Sequence, residues 1–280
     1  MPVDLHLHST FSDGTDSPAA IVEAARRIGL SAIALTDHDN LDGISEGRTA
    51  AEAAGVRFVA GTELSVVWDT GAMHMLVYFL EPGPGPLQDR LVWLQQARAS
   101  RNELIADRLA QLGLDVRFAE VVEEAGGHGI GRPHFAAVLV RKGYAVDMAD
   151  AFDRYLAAGR PGYISRERLD AHEAISLARA SGAAPVIAHP HTLGVAAEDY
   201  RSAFVELAEA GLAGIEAYYP EYPSQLRAHL AEVCAHLGIA ATGGSDYHGT
   251  YKPGLAVGTG YGDLVVPDDA LNDLAAAVAR

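Results

Sequence analysis

The chain has 280 residues, 49% of them hydrophobic and 7% aromatic, which suits one large α/β domain with an insertion. A formal net charge of −16 argues against a general nucleic-acid binder and against long DNA as a partner, because phosphate backbones call for basic surface. No apolar run approaches the roughly 20 residues that span a bilayer, and the lone Cys234 rules out an internal disulfide, which fits a reducing cytoplasm.

The first strand reads Val3-Asp4-Leu5-His6-Leu7-His8. Alternate side chains of a strand face opposite ways, so Asp4, His6 and His8 share one side while Val3, Leu5 and Leu7 pack the other. A candidate ligand as early as position 4 also speaks against a cleaved signal peptide. Helical patterns at 18–29, 50–54, 171–181, 199–210 and 224–237 then separate many of the apolar runs at 31–35, 56–60, 75–80, 184–188, 213–217 and 239–242. Those runs read as buried parallel strands. Gly29, Gly55, Gly182, Gly211 and Gly238 each fall just past a helical pattern, where a left-handed cap is needed. The order predicts right-handed βαβ units closing into a (β/α) barrel, whose strand ends collect catalytic residues. Cys234, among Leu230, Val233 and Leu237, reads as a core thiol.

The repetition breaks at Glu81-Pro82-Gly83-Pro84-Gly85-Pro86. A long helix over 87–112 and helical pieces around 118–125, 133–142 and 147–158 follow, with no convincing strand. Residues 100–163 are expected to form a helical insertion over the barrel mouth, with 1–99 and 164–280 as the barrel. The charge is divided too. Residues 98–168 carry 11 Lys/Arg against 10 Asp/Glu, whereas the rest carry 10 against 27. A relatively basic segment on an acidic protein suits local anion binding more than a long polyanion.

The chemistry-bearing residues lie beside the apolar runs: His6, His8, Asp13, His38, Glu63, His74, His189, Asp246 and His248. Imidazole mixed with carboxylate suits manganese, zinc or iron. A lone histidine is more often a hydrogen-bonded core residue, but burying nine such groups together is costly unless cations neutralise them. A binuclear amidohydrolase also opens with His-x-His, and usually bridges its metals with a carboxylated lysine on a middle strand. Lys142 and Lys252, the only lysines, end no apolar strand, and Glu63 is the better bridge. On the helix from 87, the stripe Leu91, Leu94, Arg98, Arg101, Ile105, Arg108, Leu112 puts arginines on a face that should otherwise be core. They either snorkel or line an anion pocket, and the pocket is preferred because guanidinium forks match phosphate oxygens. Tyr218, Tyr219 and Tyr222 either stack on a base or pack together. Asp4 and Asp37 are expected to orient ligating histidines.

The blocks DLHLHSTFSDGT, TDHD, GTEL with a histidine 11 residues after the glutamate, and HPH with GSDYH resemble the PHP (polymerase and histidinol phosphatase) family. The resemblance implies a distorted (β/α)7 barrel with the helical insertion over its C-terminal mouth, and three divalent metal ions. Manganese is the first choice, with zinc, iron or magnesium as alternatives. It also implies a partition: His6, His8, Glu63 and Asp246 for one ion, Glu63, His74 and His189 for a second, and Asp13, His38 and His248 for a third. The segments Arg98-Ala99-Ser100-Arg101-Asn102, Gly131-Arg132-Pro133-His134 and Gly159-Arg160-Pro161 resemble members that act on nucleoside 3′,5′-bisphosphates and short RNA 5′ ends. By that resemblance the substrate is a small nucleotide such as 3′-phosphoadenosine 5′-phosphate, which loses its 3′-phosphate to leave AMP. Arg98, Ser100, Arg101, Asn102, Arg132, His134, Arg160 and Tyr219 are its expected contacts. Metal-activated water would attack phosphorus in line, with Asp37 in support and His191 or His134 protonating the leaving oxygen. The competing readings are an exoribonuclease on short RNA, a histidinol-phosphate or other small phosphomonoester phosphatase, and a non-catalytic metal-binding module.

Overall fold

The structure, a computed structural model, describes residues 2–278. Its sheet takes the order β1 (Val3–Asp4), β2 (Ala32–Leu35), β3 (Arg57–Val67), β4 (Met73–Tyr78), β6 (Ala184–Ala188), β7 (Gly214–Tyr218) and β8 (Ala240–Gly243), with the two-residue β5 (Leu169–Asp170) beside the end of β3. The two edges meet. Leu5 N donates to Gly243 O at 3.1 Å, Asp246 N to His6 O at 2.9 Å and His8 N to Tyr247 O at 3.0 Å. The result is the expected distorted seven-stranded barrel, nearly closed by these bonds.

The distortion is β4. Its pattern predicts one more parallel strand, but it runs antiparallel to both β3 and β6. The reversal matters for the site, because His74 precedes the apolar run. In a parallel strand it would sit at the barrel floor; reversed, the start of β4 carries it to the mouth opposite Ala188.

The helices follow from their caps and stripes. In α1 (Pro18–Ile28), Ser17 Oγ accepts from Ala20 N, Pro18 opens the helix, Gly29 closes it at φ 76°, and Pro18, Ile21, Val22 and Ala25 form the buried stripe. Helix α2 (Ile44–Ala54) begins earlier than its sequence pattern suggests. Helices α7 (Ala171–Ala180), α8 (Tyr200–Glu209), α9 (Ser224–Leu237) and α10 (Ala270–Val278) cover the barrel.

Helix α3 (Pro86–Gln111) joins two cores. Its Leu87, Leu91 and Leu94 pack with the barrel core around Met75, Ile187 and Phe204. Its Ile105 and Leu109 belong to a separate core with Val121, Phe135 and Leu139, drawn from residues 105–156. That second core lies among α4 (Phe118–Glu124), α5 (Arg132–Arg141) and α6 (Met148–Ala151), which runs into a π-helical turn at Phe152–Leu156. Arg98, Arg101 and Asn102 occupy the stretch of α3 between the two cores, which is why the apolar stripe lapses there.

Candidate metal centre

Each histidine and carboxylate reaches the mouth by a local device. His6 and His8 follow the alternation of the first strand, and both are fully buried. His38 forms a bridge with Glu63, which lies inside the long β3 and is 1% exposed. His189 and Asp246 sit just beyond strand ends with positive φ, at 26° and 52°. A non-glycine residue in that region is strained, and here the surrounding bonds hold the turn that aims both side chains over the mouth. Asp13 comes from the loop after β1.

The side chains converge. Ligand atoms of His6, His8 and Glu63 lie within 4.8 Å of one another, as do those of Glu63, His74 and His189, and those of His8, Asp13, His38 and His248. Asp246 Oδ1 lies 3.4 Å from both His6 Nε2 and His8 Nε2. Glu63 belongs to two groups. Its Oε1 is 2.8 Å from His74 Nδ1 and 3.0 Å from His189 Nε2, and its Oε2 is 3.1 Å from His8 Nε2 and 3.3 Å from His38 Nδ1.

The electrostatics follow from burial and crowding. Burial alone would raise the Glu63 carboxyl, but His38, His74 and His6 hold it well below the ordinary range. Burial pushes His38 down to about 3 against the pull of Asp13 and Glu63, so its ring is neutral and its lone pair available. Asp13 Oδ1, His38 Nδ1 and Asp246 Oδ1 are buried without a hydrogen-bond partner. Buried lone pairs aimed at one another are costly until a cation accepts them, so this donor set fits divalent metal ions.

The supporting residues partly differ from expectation. Glu216, inside the apolar run of β7, holds two ligands at once: Oε1 lies 2.9 Å from His6 Nδ1 and Oε2 accepts from His189 N at 2.7 Å. That fixes His6 Nε2 toward the centre. A glutamate within an otherwise apolar strand was the signal that sequence reading missed. Asp4 and Asp37 brace backbone and hydroxyl groups rather than histidine rings. Asp4 accepts from Ser245 N and Gly258 N, and Asp37 from Ser9 N, Ser9 Oγ and Ser12 Oγ. Asp37 therefore shapes the loop before Asp13, and it reaches the His8 ring through Ser12, whose Oγ lies 3.4 Å from His8 Nδ1. Tyr219 is buried and donates to Asp246 Oδ2 at 2.8 Å, its ring packed against His189, His191 and Tyr222. It is an anchor for Asp246, not an open stacking face. Lys252 Nζ contacts the same oxygen.

Beside the cluster opens a cavity of about 670 Å³. Asp13, His38 and His74 line one wall; Arg98, Arg101, Arg132, Arg166 and Arg168 line the other. Arg98 and Arg166 converge on Asp39 Oδ2, a fully buried carboxylate at φ 54°, and Arg166 also reaches Ser65 Oγ. Arg101 is 6% exposed. Burial, with Arg98, Arg166 and Arg132 nearby, brings it down to about 8, and its Nε has no partner. Arg132 donates to Leu156 O at 3.2 Å and lies within 6 Å of the Phe152 and Tyr163 ring centres, at 5.8 and 5.6 Å. Asn102 uses both ends of its amide internally, on Arg101 Nη2 and Ile130 O.

Besides Asn102 and Tyr219, three further expected contacts do not line this cavity. Ser100 is exposed on the outer side of α3. Arg160 is exposed and pairs with Asp153, because the 157–163 turn points it back along the insertion. His134 is buried, and its Nδ1 accepts from Gly131 N at 3.0 Å, so it caps α5. Asp39, Arg166 and Arg168 were missed; the second aspartate of TDHD was the only hint. His191, the other candidate acid, stands exposed beside His189.

The model of the PHP domain matches residues 4–238. The chain belongs to the PHP domain family. Among curated relatives, this PHP chain is 30% identical over 247 residues to the 5′-3′ exoribonuclease Rnm of Salmonella typhimurium, covering 88% of the chain and 84% of the relative. It is 30% identical over 257 residues to the 3′,5′-nucleoside bisphosphate phosphatase of Chromobacterium violaceum, covering 91% and 90%. The fold matches a crystal structure from Bifidobacterium adolescentis, assigned as a metal-dependent phosphoesterase, with TM-score 0.86, 30% identity and coverage of 99% and 98%. Among the described residues, no helix of this PHP chain is long and apolar enough to cross a membrane.

Proposed function

We propose that this chain is a metal-dependent PHP phosphoesterase that removes the 3′-phosphate from nucleoside 3′,5′-bisphosphates. The carrying observation is the cavity whose one wall is the histidine–carboxylate cluster and whose other wall is five arginines. A substrate with one phosphate at each wall matches both. Likeness to the bisphosphate phosphatase supports the same reading.

His6, His8, Asp13, His38, Glu63, His74, His189, Asp246 and His248 would hold the divalent ions, which when bound supply Lewis acidity toward the phosphoryl oxygens. Glu63 would belong to two ligand groups at once, with Glu216, Tyr219 and Lys252 keeping His6, His189 and Asp246 in place. Arg101 and Arg132 would grip the phosphate that is not cleaved, orienting the one that is. Asp39 sets the angle of Arg98 and Arg166. His191 is the favoured proton carrier: Tyr222 Oη accepts from His191 N at 3.2 Å, so its own proton serves Nδ1 at 3.0 Å and Nε2 is left to exchange. Likeness to Rnm at the same identity supports a second reading, hydrolysis at the 5′ end of short RNA.

The test is product release from a panel of 3′,5′-bisphosphates, 3′-monophosphates, histidinol phosphate and 5′-phosphorylated oligonucleotides, with manganese present. A higher kcat/KM on bisphosphates is expected. Preference for plain monophosphates would overturn the substrate assignment.

A further inference from the structure

A second, smaller cleft of about 200 Å³ opens on the same His38 and Arg98 that line the arginine cavity. Its walls are of another kind. Phe11 comes from the loop after β1, Phe118 from the start of α4, and His128 from the glycine-rich turn 126–130. The Phe11 and His128 rings lie 5.5 Å apart, inclined at 34°, and make one broken aromatic surface. Asn40, Asp42, Gln95, Ala99 and Asn102 also line it, with the backbone of the turn itself.

Both walls are held from behind. Asn40, 6% exposed, donates to Phe11 O at 2.6 Å. Asn102, 1% exposed, donates to Ile130 O at 2.8 Å while its oxygen accepts from Arg101. Gly129, at φ 53°, packs so tightly that an added Cβ would stand 2.3 Å from Ser12 Cα. The turn is thus pressed against the loop that delivers Asp13. Two buried amides and one glycine give this cleft a set shape next to a candidate phosphate site, and one amide ties it to Arg101.

We propose that this cleft seats a nucleobase, stacked on Phe11 and His128, while the adjoining phosphate lies between His38 and Arg98. The assignment rests on the nucleotide reading above. Stacking tolerates any base because every base has a π-face, and the volume suits one heterocycle rather than a whole nucleotide. The base belongs either to the nucleotide carrying the cleaved phosphate or to its neighbour in an oligonucleotide.

Ala99 is exposed on α3 at the rim, so Ala99→Trp fills the cleft without burdening either core. His128→Ala removes one stacking face. Both variants and wild type are compared on adenosine 3′,5′-bisphosphate, the dinucleotide pApA and base-free ribose 3,5-bisphosphate. Each variant should lose about 10- to 100-fold in kcat/KM on a base-bearing substrate. The base-free compound should change less than about twofold, since it makes no stacking contact. Loss on both base-bearing substrates assigns the cleft to the reacting nucleotide, and loss on pApA alone to its neighbour. Equal losses on all three, or no loss, would overturn the proposal. Binding supplies the independent reading: fluorescence of a 2-aminopurine riboside 3′,5′-bisphosphate should be quenched by wild type and not by Ala99→Trp. If wild type turns over none of the substrates yet still quenches, the phosphoesterase reading fails and the cleft stands. Unchanged quenching in Ala99→Trp removes the cleft.

Discussion

The two walls of the main cavity are built by opposite means. The histidine–carboxylate wall hangs on the barrel, and every carboxylate in it is approached by several imidazoles. Glu63 alone lies within 3.4 Å of His6, His8, His38, His74 and His189. The arginine wall comes from α3, α5 and the strand-free segment 164–168. There Arg98 and Arg166 share one carboxylate, Asp39, and Arg101 keeps an unpartnered nitrogen. The first wall is over-determined, so removing its centre should disrupt it as a unit. The second is a looser set of cations, only two of which share a carboxylate, so its losses should be graded. A rigid barrel suits the group that must hold ions in fixed geometry; helices at its edge suit groups that choose what enters.

Glu63→Gln should have the largest effect. The amide keeps the shape but loses the charge that faces five histidines, so bound metal and turnover should fall together, turnover by several orders of magnitude. Elemental analysis beside single-turnover assays checks this. Full metal content with near-normal turnover would make the two walls equally replaceable.

Asp39→Asn should be next. It strips the shared carboxylate from two buried guanidiniums, and breaking a buried pair in this way costs about 3–5 kcal/mol. A lower urea midpoint is expected, with a raised KM for bisphosphates and metal content retained. A loss of metal equal to that of Glu63→Gln would show that the walls are one unit.

Arg101→Ala should be milder and selective. Losing one charge-assisted contact to phosphate costs about 1.5–3 kcal/mol, or about 10- to 150-fold. The loss should appear in kcat/KM for a 3′,5′-bisphosphate and not for the matching 3′-monophosphate. Equal losses would place Arg101 on the reacting phosphate.

Arg160→Ala should be the smallest. This arginine is exposed and paired with Asp153 outside the cavity, and such surface pairs contribute about 0–1 kcal/mol. Any change in kcat/KM above about fivefold would mean that the 157–163 turn closes over the substrate.

The difference between the walls is also a difference in how much the chain declares in advance. All nine candidate ligands lie in or beside short apolar runs, where strand alternation and sudden polarity mark them one by one. The structure gathers all nine. Glu216 escaped notice because a single carboxylate in a strand does not announce which histidine it will hold. On the other wall, the residue types pointed to arginines on α3 and at the start of α5: Arg98, Arg101 and Arg132 line the cavity, while Arg108 of the same stripe is exposed and does not. They did not separate Arg132, which lines the cavity, from Arg160, which turns away, and they gave no weight to Arg166 and Arg168.

Alternation and capping, both local, determined the barrel class, the helical interruption and the set of candidate ligands. Tertiary structure decided the rest: the reversed direction of β4 that lifts His74 to the mouth, the pairing of Arg98 and Arg166 on Asp39, and the use of His134 Nδ1 as a cap on α5 rather than as a substrate contact. Strand direction and ion-pair choice depend on which segments become neighbours across long stretches of chain, and a period of two or of 3.6 residues carries no information about neighbours so far apart.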